Sequence, residues 1–282
     1  MRKQWNEQEI EFLKNNYSEM TNKEIAEKLG RTKTSIDIKA NKLGLKSSIY
    51  TCNLDYFKEI DSEEKAYWLG FIYADGWVEY KEGSTHTLGI ELSIVDIEHL
   101  RKFNKSIEGN YKITTRVRHL EETDKDYEMC CIRVYKKTFV DHLIDKGVIP
   151  NKSFDITMPN IPENLFSHFI RGFFDGDGCL AHGTTKSKNK TQDVIKADFT
   201  CGSIEFVNSL RSILFDNGIN SHVVSERNHY RLRIGGLKNT HEFLEYIYKD
   251  ATIYLDRKYE KRKFYYEKYN LKERIASLYR NI

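Results

Sequence analysis

The chain has 282 residues, 39% of them hydrophobic and 13% aromatic, which excludes wholesale disorder and leaves room for one large domain or two to three small ones. Net charge is only +3, yet residues 1–47 hold ten Lys/Arg against seven Asp/Glu and residues 252–282 hold nine against four, so both ends suit a polyanion while the middle is net acidic. No apolar run is long enough to span a bilayer and no hydrophobic signal region follows Met1-Arg2-Lys3-Gln4-Trp5, which predicts a soluble, intracellular protein with no membrane partner.

In chain order, residues 1–47 read as a compact three-helix unit. Trp5, Ile10 and Leu13 space a first amphipathic helix. Thr21 caps a second, Glu24 completes a capping box three residues on, and the helix runs through Ile25, Ala26 and Leu29 to Gly30. Thr32 or Thr34 opens a third, which carries Ile36, Ala40 and Leu43 before Gly44. A tight glycine turn ahead of a helix bearing Lys33, Lys39, Lys42 and Lys46 describes a helix-turn-helix. The segment Asn22 to Thr32, with Trp5 ahead of it, resembles the Myb/SANT-like helix-turn-helix of phage and bacterial proteins. That resemblance implies duplex DNA as the partner, met by Lys33, Thr34, Ser35, Lys39 and Lys42. Residues 48–62 lack periodicity and read as a linker that could hold a short helix around Tyr56-Phe57.

From residue 63 the chain repeats itself. Trp68-Leu69-Gly70-Phe71-Ile72-Tyr73-Ala74-Asp75-Gly76 is matched by Ile170-Arg171-Gly172-Phe173-Phe174-Asp175-Gly176-Asp177-Gly178, with the final acids 102 residues apart. Each segment is an apolar helix with two small residues four positions apart, Gly70/Ala74 and Gly172/Gly176, which lie on one face and let two helices pack backbone to backbone. Each ends in Asp-Gly, although the helix macrodipole disfavours an acid in the last turn. Two acids brought together in this way repel unless a cation intervenes, and a divalent metal would serve.

The order of elements also repeats. After Asp75-Gly76 come strands around Trp77–Tyr80 and Thr87–Ile94, a helix opened by Asp96, strands at 111–119 and 127–135 and a helix at 138–146. After Asp177-Gly178 come a lysine-rich tip (Lys186, Lys188, Lys190), a strand through Ile195, Ala197, Phe199 and Cys201, a helix at 205–217, strands at 222–226 and 230–234 and a helix at 241–249. Each half is thus αββαββα. The expected fold is α+β, two pseudo-two-fold-related halves forming a saddle behind a small all-α head. The expected domains are 1–47, linker 48–62, first half 63–160 and second half 161–282 with a basic C-terminal helix. The five cysteines (Cys52, Cys130, Cys131, Cys179, Cys201) are odd in number and lack a C-x-x-C pair, which argues against a disulfide framework and a structural zinc site.

These two segments and the order around them resemble the paired motif of LAGLIDADG homing endonucleases in their single-chain form, over residues 63–270. The resemblance implies a monomeric, site-specific endonuclease for double-stranded DNA with a long recognition site, using Mg²⁺ or, as a substitute, Mn²⁺. It implies metal binding by Asp75 and Asp177 with the main-chain carbonyls of Ala74 and Gly176. It further implies a basic residue beside each acid, Lys152 at 77 residues past Asp75 and Lys258 at 81 past Asp177, with Arg257 a close competitor. Asp175 shares its motif position with Tyr73 and is secondary; an EF-hand is rejected because Lys186 stands where the bidentate acid is needed. Strand residues Lys112, Thr114, Arg116, Arg118 and Arg133, with Arg231, Arg233 and the tip residues Lys186 and Lys188, suit groove and phosphate contacts. Expected location is cytoplasmic, in a bacterial or phage-infected cell, with an organellar origin open. An intron RNA maturase and an inactive DNA-binding regulator are alternatives on the same scaffold.

Overall fold

The computed structural model describes residues 4–17, 20–45, 50–80, 86–121, 124–150, 154–187 and 190–268, and of 185–187 and 190–193 the backbone alone. It divides into two compact units, Met1–Asn53 with Ile107–Tyr111, and Leu54–Ser106 with Lys112–Ile282.

In the first unit, α1 (Glu7–Asn16), α2 (Asn22–Leu29) and α3 (Lys33–Lys42) surround a core of Leu13, Tyr17, Ile25, Ala26, Ile36 and Ala40. Local chemistry sets each boundary. Thr21 and Glu24 form the expected capping box, and Asn6 with Glu9 forms a second at the start of α1. Gly30 ends α2 at φ +59°, a conformation that disfavours a side chain, and Thr32, not Thr34, caps α3 through the Ser35 N–H. Residues 48–62 are only partly a linker. The Asn53 N–H donates to the Ile107 carbonyl within the first unit, while Tyr56, Phe57 and Ile60 are buried. Residues 54–58 form turns, not a helix.

The second unit contains both repeats. The first is α4 (Glu63–Asp75), β1 (Gly76–Glu79), β2 (Thr87–Ser93), a 3₁₀ turn at Ile94–Asp96, α5 (Ile97–Ser106), β3 (Thr114–Leu120), β4 (Lys125–Val134) and α6 (Lys137–Asp145). The second is α7 (Phe166–Asp177), β5 (Gly178–Ser187), β6 (Lys190–Cys201), α8 (Ile204–Asp216), β7 (His222–Glu226), β8 (His229–Gly235) and α9 (Leu237–Tyr248), followed by α10 (Asp256–Lys268). The two antiparallel sheets have the same order, β1-β2-β4-β3 and β5-β6-β8-β7, so the αββαββα reading holds in both halves. Two boundaries differ from the sequence reading. Tyr111 belongs to the first unit, so β3 begins only at Thr114 and Lys112 precedes it. The last helix of the repeat begins at Leu237 because Gly236, at φ +85°, turns the chain directly after β8.

The alternation along β2 buries Leu88, Ile90 and Leu92 under the helices and turns Glu91 and Ser93 the other way. The two motif helices form the spine of the unit. From Ala66 to Tyr73 every residue of α4 is buried, which is why it reads as apolar on all sides, and Phe169 to Asp175 of α7 are buried as well, Arg171 and Asp175 among them. No helix among the described residues is long and apolar enough to cross a membrane.

A candidate composite site at the ends of the motif helices

The small residues bring the helices together. A Cβ at Gly70 would collide with the Phe169 carbonyl oxygen, and one at Gly172 with the Tyr67 carbonyl oxygen, so main chain touches main chain at both equivalent positions. At the C-terminal ends, a Cβ on Gly176 would run into the Ala74 methyl and lie 3.1 Å from Asp75 Oδ2. The two Asp-Gly ends therefore meet. Asp75 is half-buried and Asp177 exposed, and Asp177 lines a small pocket with Tyr73, Ala74, Ile156, Phe173 and Cys201.

A cation is built into this junction. Lys258, in the first turn of α10, donates its ammonium to the carbonyls of Phe174 at 2.6 Å, Gly176 at 3.1 Å and Gly178 at 2.6 Å. It thereby satisfies acceptors at the end of α7, where the helix dipole favours positive charge. Burial pushes its pKa down to about 8, against the opposing pull of Asp175, Asp75 and Asp177. Of the two basic neighbours, Lys258 is the one at the acids. Arg257 turns away to Asp96, its Nε–H shared between the two carboxylate oxygens at 3.1 and 2.8 Å. Lys152, the equivalent residue of the first half, lies outside the described residues.

Asp175 does more in the fold than its place in the motif suggests. Its side chain is fully buried and accepts from the Tyr67 hydroxyl of α4 at 2.8 Å, the Tyr248 hydroxyl of α9 and the Leu255 N–H at 2.7 Å. Burial raises its pKa. Its contact with Leu255 fixes the segment leading into Lys258. Tyr73, at the same motif position in the first half, donates to the Lys146 carbonyl at 2.6 Å and ties its helix to the equivalent segment. Arg171, too, does more than its place in the motif suggests. It is 1% exposed and donates to the carbonyls of Ile247 and Ile253 and to Glu63 Oε1 at the start of α4. A charged residue inside an apolar helix run was the signal available for both.

Among the described residues no three His, Cys, Asp or Glu side chains converge into a self-contained metal cage. The junction instead offers carboxylates and main-chain carbonyls. These are hard oxygen donors of the kind Mg²⁺ takes, one or two at a time, when substrate phosphates complete its shell. The Gly176 carbonyl also holds Lys258 and keeps a second lone pair.

Residues 167–248, from the first turn of α7 to the end of α9, match the family model described as a LAGLIDADG-like domain. The second repeat is similar to a LAGLIDADG-like domain. Among solved structures it is similar to the LAGLIDADG meganuclease I-AabMI bound to uncleaved DNA, at 14% identity and TM-score 0.51, over 74% of this chain and 91% of that one. It is also similar to I-SmaMI bound to an uncleaved DNA target in the presence of calcium ions, at 10% identity and TM-score 0.45, over 67% and 85% of the two chains. A third is full-length DUF199/WhiA from Thermatoga maritima, at 21% identity and TM-score 0.42, over 70% and 61%. No curated protein matches in sequence. At these identities the first likeness establishes the fold: two α+β halves on the LAGLIDADG plan.

On that fold, the predicted arginines lie on the sheet face away from the helices, and four of them are held by an acid or an aromatic ring. Arg116 forms two hydrogen bonds with Glu91, at 2.6 and 2.7 Å, and Arg133 lies over the Trp77 ring at 6.0 Å. Arg231 pairs with Glu226 at 3.2 Å and Arg233 with Asp198 at 3.4 Å. Arg133 and Arg233 occupy equivalent places, opposite Gly89 and Asp198 in their sheets. Thr114 and Arg118 are exposed on β3. Lys112 is exposed before the strand, Lys186 is described by its backbone alone, and Lys188 lies outside the described residues. Of the lysines predicted on α3, Lys33 pairs with Asp37 at 3.0 Å, while Lys39 lies 5.7 Å from the Trp5 ring centroid.

Proposed function

We propose that the protein is a metal-dependent, site-specific endonuclease that hydrolyses phosphodiester bonds of double-stranded DNA, with one composite site built from Asp75 and Asp177. The observation that carries this reading is the meeting of two acid-ended helices, main chain against main chain, with Lys258 seated at the junction. Asp75 and Asp177 would hold the divalent ion, Mg²⁺ with Mn²⁺ as substitute, helped by the carbonyls of Ala74 and Gly176. When bound, the metal would lower the pKa of the attacking water and neutralise charge that develops on the phosphate. Lys258 keeps a positive charge fixed beside the same acids, where it orients water or stabilises the leaving oxygen. Lys152 has the equivalent role in the first half.

Duplex DNA lies along the outer sheet faces, and Arg116, Arg133, Arg231 and Arg233, already held by their partners, meet it with little loss of side-chain freedom. Both motifs are in one chain, so it acts as a monomer. The head, residues 1–47, binds duplex DNA through α3.

The test is to incubate the protein with a duplex spanning its candidate insertion site and Mg²⁺, beside Asp75→Asn and Asp177→Asn. Double-strand cleavage by the wild type, absent in both variants, is expected. Binding without cleavage by the wild type would replace this reading with that of a DNA-binding regulator.

A further inference from the structure

Helix α3 leaves one large apolar side chain in water. Ile38 is 53% exposed, and among the described residues of the first unit no other large hydrophobic side chain is exposed. Its place on the helix explains this. Ile36 and Ala40 are buried in the unit's core, and at about 100° per residue Ile38 points to the opposite side. Thr34, Ser35, Lys39 and Lys42 surround it and, with Gln4, Trp5, Gly30, Arg31 and Thr32, line an open groove of about 690 Å³.

The surroundings choose the occupant. Among the described residues neither Lys39 nor Lys42 has a carboxylate at ion-pair distance, in contrast to the arginines of the sheets, so the face is basic as well as polar. A basic helix face with short hydroxyl side chains suits the duplex major groove, where phosphates flank the base edges. Within that groove the base edges present donors, acceptors and one apolar group, the C5 methyl of thymine.

We propose that Ile38 is a base-reading residue that packs on a thymine methyl in the major groove, so that the head selects a thymine at one position in addition to holding the duplex. This rests on the reading of the head as a duplex-DNA binder. The lysines supply salt-dependent, sequence-independent attraction, and Ile38 supplies preference at a single base pair.

The test uses the full chain without divalent cations. Duplexes are selected from a random-sequence library, and the head's segment is defined as the protection lost in the Lys39→Ala/Lys42→Ala variant. Each thymine in that segment is then replaced by deoxyuridine, which removes only the methyl group. One such replacement is expected to weaken binding about 4- to 10-fold, as the loss of one buried methyl would. Ile38→Ala should weaken binding to the thymine duplex similarly, and the two changes together should cost no more than either alone. Because Ile38 is exposed, the melting temperature of Ile38→Ala should match the wild type. Additive losses, or deoxyuridine replacements without effect at every position, overturn the proposal while leaving the head a DNA binder. Failure of Lys39→Ala/Lys42→Ala to change any protection overturns the reading beneath it. A change in self-association of Ile38→Ala with unchanged DNA affinity would assign the face to protein contact and overturn the proposal too.

Discussion

The two halves of the repeat fill equivalent spaces with opposite chemistry. Beside α4, His99 of α5 meets the Tyr67 hydroxyl at 3.0 Å, and that hydroxyl donates to Asp175 of α7. Rotated into the other half, the same three positions are Phe206, Phe169 and Tyr73, which pack as aromatic rings with centroids 5.1–6.4 Å apart. One side is a buried polar chain, the other an apolar stack. A second pair differs likewise. Leu69 is a plain core residue where its counterpart Arg171 reaches Glu63 across the helix pair. The junction of Asp75 and Asp177 is therefore supported mainly by polar satisfaction on one side and mainly by packing on the other, and the first is the more vulnerable to a missing hydrogen bond.

The largest test of this comparison concerns the acids themselves. If the junction is one composite site, Asp75→Asn and Asp177→Asn should each lower cleavage of both strands at least about a hundredfold, since metal-assisted charge stabilisation contributes several kcal/mol. A supercoiled plasmid carrying the target reads nicked and linear products separately. A variant that cuts one strand at the wild-type rate would show two independent sites.

Next in size, Arg171→Met should destabilise the protein by about 3 kcal/mol in urea unfolding, because it takes the cation from Glu63, which keeps the Thr252 N–H, and leaves two buried carbonyls without their donor. Adding Glu63→Gln should recover part of that loss. Gly70→Ala and Gly172→Ala follow, each about 2 kcal/mol by overpacking against the partner helix. The two should be nearly equal, and an unequal pair would mean the pseudo-symmetry is weaker at the helix crossing than the contacts imply.

His99 gives the pH dependence. Burial, with Lys102 and Arg257 nearby, lowers its pKa from 6.5 to about 3 in the folded protein. Below pH 6.5 the unfolded chain takes up a proton that the folded one refuses, so stability falls with pH, by at most about 1.4 kcal/mol per pH unit, until about pH 3. His99→Phe imports the residue of the other half and should flatten that slope in urea titrations between pH 6.5 and 5. The smallest effect is Tyr73→Phe, about 1 kcal/mol for the hydrogen bond to Lys146.

Much of this is legible in the amino-acid sequence. The Gly70/Ala74 and Gly172/Gly176 spacing, the repeated element order and the alternation along β2 each express a regular period, and a period survives translation into geometry. The Thr21–Glu24 capping box was legible because it is local. What the residues could not declare was pairing across distance. Arg257 and Lys258 are neighbours in sequence, and only the fold decides that one meets Asp96 and the other the end of α7. Asp175 looked like an inconsistency of the motif because its three donors come from positions 67, 248 and 255. The first strand after α5 begins three residues later than its apolar pattern suggests, because Tyr111 carries an apolar ring into the first unit instead.

The glycine contacts between α4 and α7 also bear on how such a protein can change. Because backbone meets backbone at the crossing, the spacing of the two acids is set by main chain and is insulated from the side chains on the sheets. On the proposed function, substitutions at Arg116, Arg133, Arg231 or Arg233 would retune which sequence is recognised without shifting Asp75 against Asp177. In such an endonuclease recognition would drift while the chemistry stays fixed, which would let a lineage follow a migrating target one base pair at a time.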